Sequence, residues 1–252
     1  MDLFLNKLQE FERVGLADIN EVKLLDRVDT KFIFNRNKLI EVLQHLKNDY
    51  KLVVIEDRLI SDYRTLYYDT ENFELYLCHH NGKANRLKVR FREYLGSNLN
   101  YFEIKVKNNK SRTIKYRIKR SKIEDSISRK SKILLEEKTS LIVESLRPVF
   151  YVNYSRITFA NIIRGERLTI DLNLEYQGNS FKKTYDPLII AELKQNSFSK
   201  QSPFSKVMSQ LRIHNGSISK YCLGVTQLFP HIKNNNFKSK VLTINKIIDA
   251  NG

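Results

Sequence analysis

The sequence is poor in the residues that usually announce a catalytic or structural centre. Of its 252 residues only two are cysteines, Cys78 and Cys222, and no C-x-x-C spacing occurs. That excludes a disulfide framework and points to free thiols in a reducing compartment. The histidines (His45, His79, His80, His214, His231) form no H-E-x-x-H or similar pairing. His79 and His80 are adjacent, and adjacent strand residues point to opposite faces, which argues against a shared metal. No apolar run approaches the roughly 20 residues of a membrane span. The opening MDLFLNKLQEFERVG lacks the basic n-region and long apolar core of a signal peptide. The expectation is a cytoplasmic protein that meets the inner face of a membrane only through a membrane-protein partner. Acidic charge is also scarce, with 28 Asp and Glu against 44 Lys and Arg, a formal charge of +16. Such an excess calls for polyanionic partners: nucleic acid, an anionic membrane surface or a phosphate-rich small molecule.

With 41% hydrophobic residues the chain can build one large core or two small ones. Residues 1–12 read as a short amphipathic helix and 37–48 as a second, with Leu39, Ile40, Val42, Leu43 and Leu46 on its apolar face. Strands are predicted near 30–34, 52–55, 63–69, 73–77, 86–94, 101–107 and 113–119. Asn81-Gly82, Gly96-Ser97-Asn98 and Asn108-Asn109 supply turns between them. Residues 123–146 break this rhythm as a helix or helix pair. Strands return over 149–159, 167–176 and 188–193, and helices over 204–213 and 219–229. The tail over 233–252, with Asn234-Asn235-Asn236, is expected to be loosely attached. No repeat or linker divides residues 1–232, which predicts a single domain, an antiparallel sheet or barrel with helices outside.

Chemistry shows in what alternates with what. In NRLKVRFREY, Arg86, Lys88, Arg90 and Arg92 share one face of a strand while Leu87, Val89 and Phe91 share the other. Glu103, Lys105 and Lys107 oppose Phe102, Ile104 and Val106. Lys115, Arg117 and Lys119 oppose Ile114, Tyr116 and Ile118. Arg167, Thr169, Asp171, Asn173 and Glu175 oppose Leu168, Ile170, Leu172 and Leu174. Arg27, Asp29 and Lys31 share parity, as do Glu192 and Lys194. A half-wetted sheet alternates in the same way. A solvated face, however, normally mixes signs, and like charges opposite each other destabilise a sheet. Several cationic strands with few carboxylates are what a site for a multiply charged anion and one or two metal ions requires. Closing the sheet would focus that potential into a channel, with the apolar faces outward under the helices at 37–48, 123–146 and 204–229.

The ordered pieces RVDTKFIF, RTLYYDT, RLKVRFREY, FEIKVK, VNYSRITF, RLTIDLNLEY, IIAELK and SKYCLG, over roughly 25–230, resemble the VTC domain of the triphosphate tunnel metalloenzyme superfamily. The resemblance implies an α+β fold, an eight-stranded antiparallel β-tunnel closed as a barrel, with a polar, basic lumen and helices packed outside. It implies transfer of the ATP γ-phosphate to a polyphosphate chain with Mn²⁺ or Mg²⁺. ATP and inorganic polyphosphate or tripolyphosphate are then the expected partners. Carried over residue by residue, the phosphate ligands are Lys31, Arg90, Arg92, Lys105, Arg156, Arg167 and Lys220. Lys88, Lys107, Lys115, Arg117, Lys194 and Tyr221 are substrate-binding helpers. Glu192 is the implied metal ligand, with Glu103 and Asp171 assisting. Arg27 stands where the wider superfamily's E-x-E-x-K signature has its first acid, a departure that fits the VTC branch. No SPX-like domain accompanies these pieces, so regulation or export is expected to reside in other proteins.

Two other functions fit the same residues. A tunnel hydrolase acting on nucleotides, RNA ends or tripolyphosphate would share the fold and most ligands. A binder of polyphosphate or nucleic acid would share the charge. The nucleic-acid version is disfavoured because no RNP-like, zinc or helix-turn-helix pattern appears and the cations alternate along strands.

Overall fold

The alternating segments pair as their pattern requires. The structure is a computed structural model that describes residues 3–19, 28–97, 99–110, 112–123, 126–178, 181–197, 199–216 and 218–249; Arg27 and Asn98 lie outside them. In chain order the elements are α1 (Leu3–Gln9), β1 (Arg13–Gly15), β2 (Val28–Asn35), α2 (Leu39–Leu46), β3 (Lys51–Val54), β4 (Ser61–Thr70), α3 (Glu74–His80), β5 (Arg86–Leu95) and β6 (Leu99–Lys107). They continue as β7 (Thr113–Arg120), α4 (Arg129–Lys138), β8 (Leu146–Asn161), β9 (Glu166–Gln177), β10 (Lys182–Tyr185), β11 (Leu188–Gln195), α5 (Pro203–Gln210), α6 (Lys220–Leu228) and α7 (Lys238–Asp249). Eight strands follow one antiparallel path, β2-β11-β9-β8-β4-β5-β6-β7, with β1, β3 and β10 attached at its margins. The α+β tunnel is therefore present. The expected closed barrel is corrected in one respect: β2 and β7, the two ends of the path, are not hydrogen-bonded to each other among the described residues. No described helix is long and apolar enough to cross a membrane. Cys78 and Cys222 are both free thiols.

Parity separates the layers. Phe32, Phe34, Leu168, Ile170, Leu172, Ile189, Ala191 and Leu193 face outward into one cluster, under α1, α2 and α5. Leu66, Val89, Phe91, Phe102 and Ile104 face outward into another, which takes Leu135 of α4 and Leu75 of α3. Burial of such side chains is worth about 1.5–3 kcal/mol each, so the apolar parity fixes which face turns out and leaves the cationic parity inside.

The inner face is not cationic throughout. Tyr67, Phe150, Val152, Leu174, Tyr176 and Leu188 form a third cluster with Tyr221, Cys222, Leu223 and Val225 of α6. The helices at 204–229 are therefore divided between the two sides of the sheet: α5 is outside and α6 fills one end of the inside. The route is visible in the chain. Ile213 is buried in the outer cluster. Asn215 then bridges Phe32 on the free edge of β2, and the Gly216 amide donates to the Lys31 carbonyl at 2.8 Å. Ile218 already packs on the inner cluster. The polypeptide passes over the β2 edge, where the sheet is left unjoined. A bulge in β9 matches this division. The register of β8 against β9 shifts between Asn153 and Ser155, and Asn173 takes a positive φ of 55°, a conformation asparagine tolerates better than most residues. The shift turns Leu174 and Tyr176 inward, so Asn173 and Glu175 leave the polar inner row that strict alternation predicts. Glu175 instead accepts from Asn153 and pairs with Lys182 of β10.

Three further expectations change. The predicted strand 73–77 is instead the start of α3, with Phe73 preceding the helix, because Asp69 accepts from the Leu75 and Tyr76 amides at 2.8 and 2.9 Å and satisfies the helix start. β8 begins at Leu146, before the predicted 149, and so takes in Pro148, at the register shift beside Tyr67 and Tyr68 where a missing N–H is tolerated. The tail is not loosely attached: α7 buries Ile244 in the inner-end cluster, and Asn35 donates to the Ile247 carbonyl at 2.7 Å.

Gly224 of α6 lets the plug seat. A Cβ there would lie 2.5 Å from the Phe150 ring and 2.9 Å from that of Tyr176. Gly224→Ala gains about 1 kcal/mol of helix propensity but forces overpacking of about 1–3 kcal/mol. A thermal melt should show a lowered Tm, whereas alanine at the exposed Gln210 of α5 should leave it unchanged.

Candidate active site

Three clusters of opposite charge line the rest of the inner face, each placed by strand register. On β5, β6 and β7, Lys88, Lys105 and Lys115 stand directly opposite one another, as do Arg90, Glu103 and Arg117. Glu103, fully buried, is the one carboxylate on this three-strand face. Arg90 donates to its Oε2 through Nε at 2.9 Å and Nη2 at 2.5 Å, and Lys115 to its Oε1 at 3.0 Å. Burial alone would raise the Glu103 carboxyl; the charges of Arg90, Arg92 and Lys115 overcome it and hold it well below the usual carboxylate range. Lys105 has no carboxylate of its own among the described residues. The Arg90 guanidinium first, then burial and Arg92, push its ammonium well below the ordinary lysine range. Lys88 is pushed down chiefly by burial, and its Nζ donates to Ser219 Oγ at 2.8 Å.

The second cluster joins β8, β9 and α6. Arg156 grips Asp171 with two parallel bonds, Nε to Oδ1 at 2.6 Å and Nη2 to Oδ2 at 2.8 Å, and Lys220 donates to the same Oδ2. Burial opposes ionisation of Asp171, but Arg156 and Lys220 hold it far below the carboxylate range. In the third cluster, on β2 and β11, Lys31 pairs with Glu192 at 3.0 Å. Lys194 lies between Glu192 and Asp29, 3.2 Å from the latter. Arg167 of β9 stands opposite Lys194 in register.

A tyrosine pair connects the first two clusters. The rings of Tyr63 and Tyr154 stack with centroids 5.1 Å apart. Arg92 lies 5.4 Å from the Tyr63 centroid, Arg156 5.3 Å from both, and Lys220 4.5 Å from that of Tyr154. Cations over ring faces are attracted without being neutralised. The Arg92 Nε is buried and has no hydrogen-bond acceptor among the described residues. The Tyr67 hydroxyl accepts from Arg90 at 3.3 Å. Despite burial, the charges of Arg90, Arg92 and Lys88 lower its pKa. Tyr63, Tyr67, Tyr154 and Ser219 are invisible to charge alternation because they carry none. The inward parity of Tyr63 and Tyr67 along YRTLYYDT (63–70) is the signal the sequence offers for those two.

Lys31, Lys88, Arg90, Arg92, Lys105, Arg156, Arg167, Lys194 and Lys220 thus share the inner face. Lys107 is half-buried there, while Lys115 and Arg117 reach the solvent-exposed margin at β7. Tyr221, expected beside the substrate, is in the plug. It stacks on Tyr67 at 4.8 Å and Phe150 at 5.5 Å, and its hydroxyl donates to Asp69 Oδ2 at 2.5 Å. His79 and His80 lie on a helix, where His79 contacts the Cys222 Sγ at 3.1 Å and His80 accepts from the Asn236 amide. Burial and the nearby Lys88 and Arg86 hold His79 down to about 3.

The three carboxylates expected to hold metal belong to different clusters. Among the described residues no three His, Cys, Asp or Glu side chains converge. Glu103 and Asp171 are buried and held by arginine, leaving little for a cation. Glu192 is more accessible, at 20% side-chain exposure, and its partners are flexible lysines. With Asp29 across Lys194 it offers two hard oxygen donors, a set that suits Mg²⁺ or Mn²⁺ when phosphate oxygens complete the shell. The fit is to Glu192 and Asp29, not to Glu103 or Asp171.

The VTC domain family model matches residues 26–229. No curated protein matches the chain in sequence. Among solved structures, a Hippeastrum protein reported to have a dominant triphosphatase activity is 11% identical. That match covers 80% of this chain and 96% of that one at a TM-score of 0.52, a likeness of fold. A Pyrococcus horikoshii protein aligns at 13% identity over 79% of this chain and 99% of its own, with a TM-score of 0.44.

The depressed Lys105 fixes the sign of a pH effect. Between its folded pKa and the ordinary lysine value near 10.4, the unfolded chain binds more protons than the folded one. The stability of the ligand-free protein should therefore rise with pH through that window. Lys105→Met should raise the Tm of the ligand-free protein and abolish that lysine's share of the slope. It should also reduce the Tm gain produced by tripolyphosphate. Melts across alkaline pH, with and without tripolyphosphate, make the comparison.

Proposed function

The chain belongs to the VTC domain family, and from that premise we propose that it is a polyphosphate polymerase, transferring the γ-phosphate of ATP to a polyphosphate chain held in the tunnel. The observation that carries this reading is the row Lys88-Lys105-Lys115, three lysines abreast with one carboxylate among their neighbours. Such a row is stable with a polyanion and strained without one. Arg90, Arg92 and Lys105 would take the phosphates from one wall, Arg156 and Lys220 from the next, and Lys31 and Arg167 from the third.

The state of the carboxylates favours a polymerase over a hydrolase. Hydrolysis needs a group to orient and deprotonate water. Glu103 and Asp171 are held by their cations far below the usual range, so both are poor bases. In chain extension the nucleophile is already an anion: a terminal phosphate oxygen bonds to Pγ, the Pγ–O bridge to Pβ breaks, and ADP leaves. The side chains then need only to align the two oxygens and neutralise charge. Arginines suit the bidentate grip, and lysines act as mobile point charges. Lys31 and Lys194 can release Glu192 as they turn to phosphate, freeing Glu192 and Asp29 for Mn²⁺ or Mg²⁺. When bound, such an ion neutralises charge developing on the phosphate oxygens. ATP and polyphosphate are the proposed substrates.

Incubation with ATP and Mn²⁺ should yield long-chain polyphosphate on a gel. Release of orthophosphate alone would make the protein a hydrolase, and tripolyphosphate binding without turnover would make it a binder. Glu192→Gln keeps size and one acceptor but loses the charge a hard cation needs. It should lower turnover by roughly 100-fold, as lost transition-state charge stabilisation does, and keep metal-free tripolyphosphate affinity. Near-wild-type turnover with an unchanged Mn²⁺ optimum would remove Glu192 from the metal site.

A further inference from the structure

The cationic face does not end at the tunnel wall. On β7 the inner-facing residues Lys115, Arg117 and Lys119 are exposed, and among the described residues no strand covers the outer edge of β7 at the unjoined seam. They continue rows that begin inside: Lys119 stands opposite Tyr101, which stands opposite Arg92, and Arg117 stands opposite Glu103, which stands opposite Arg90. Lys107, opposite Arg86, adds a half-buried cation beside them. Lys115 is matched by Glu103. Lys107, Arg117 and Lys119 have no carboxylate partner among the described residues.

We propose that this margin, Arg117 and Lys119 of β7 with Lys107 of β6, is an external track for linear polyphosphate too long for the tunnel to enclose. The proposal rests on the reading of the tunnel as a phosphate site and adds where the rest of the chain lies. Continuity of the rows is the first argument: a polyanion bound at Arg90 and Lys105 meets Lys107, Arg117 and Lys119 ahead of it on this wall, where the one carboxylate, Glu103, is buried and already shared by Arg90 and Lys115. The second argument concerns the ligand. A nucleic acid would want free aromatic faces on which bases stack. The aromatic between the rows, Tyr101, has its face covered by the Arg117 guanidinium at 4.6 Å and Tyr94 packed against it. The track offers charge without a stacking platform, which suits a chain of phosphates. The third argument is the edge itself. Lysine and arginine on an open edge strand prevent pairing with another chain, so the edge stays available to a ligand that needs no backbone bonds.

The test uses Lys119→Glu and the double variant Arg117→Glu/Lys119→Glu, exposed changes whose melting temperatures verify folding. Tripolyphosphate, long-chain polyphosphate and single-stranded RNA are titrated over a range of salt. Lys119→Glu should leave tripolyphosphate affinity unchanged and weaken long-chain polyphosphate. The slope of log affinity against log salt should become shallower by about one for each phosphate no longer neutralised, with the double variant weaker still. Equal losses for the short and long chains from Lys119→Glu, or no loss for the long chain, would overturn the track. A loss confined to RNA would make the margin a nucleic-acid surface. If the unaltered protein binds tripolyphosphate and the long-chain result fails, only the track falls; if it binds neither, the tunnel reading falls as well.

Discussion

Like charges facing one another across a sheet are the constraint on which the rest of this structure depends. Two unit charges about 5 Å apart repel by roughly 3 kcal/mol at an effective dielectric near 20. A row such as Lys88-Lys105-Lys115 therefore works against folding unless something compensates. The protein compensates in three ways. It places one buried carboxylate, Glu103, in the adjoining row, where Arg90 and Lys115 share it. It lays Arg92, Arg156 and Lys220 over the Tyr63–Tyr154 pair, attracting the cations without neutralising them. It depresses the proton affinity of Lys105 and Lys88. None of the three removes the excess of positive charge, and a bound polyanion would.

The opposing contribution comes from outside and from one end. Outward-facing Phe, Ile, Leu and Val of the same strands are buried under α1, α2, α4 and α5. Inside, α6 packs Tyr221, Cys222, Leu223 and Val225 into the cluster of Tyr67, Phe150 and Tyr176. The plug and the cationic site are continuous through Ser219, whose hydroxyl accepts both from Lys88 and from the Cys222 amide at the start of α6. The chain crosses the β2 edge to deliver α6, and among the described residues no β2–β7 ladder closes the tunnel. The basic side chains of β7 are exposed at that open side.

Much of this was written in the sequence, for a definite reason. Strand alternation has a period of two, and hydrophobic burial fixes which parity turns out. The strings around Arg86–Arg92, Lys105–Lys107 and Lys115–Lys119 therefore declared both the strands and the cationic inner face, and the order of the pieces declared the family. The sequence did not declare which cations would be matched. Glu103, Asp171 and Glu192 look alike in their strands, yet register gives two of them to arginine and the third to lysines. Nor did it declare Tyr63 and Tyr154 as a connecting pair, since uncharged residues leave no mark in a charge pattern. The α3 helix depends on Asp69 folding back on the amides of Leu75 and Tyr76, and the inward turn of Leu174 depends on one residue, Asn173, entering a positive φ. The place of α6 depends on a crossing at Asn215 and Gly216. Local periodicity is a property of the chain and can be read from it. Pairing partners, bulges and crossings are properties of segments far apart in sequence, and only the folded arrangement brings them together.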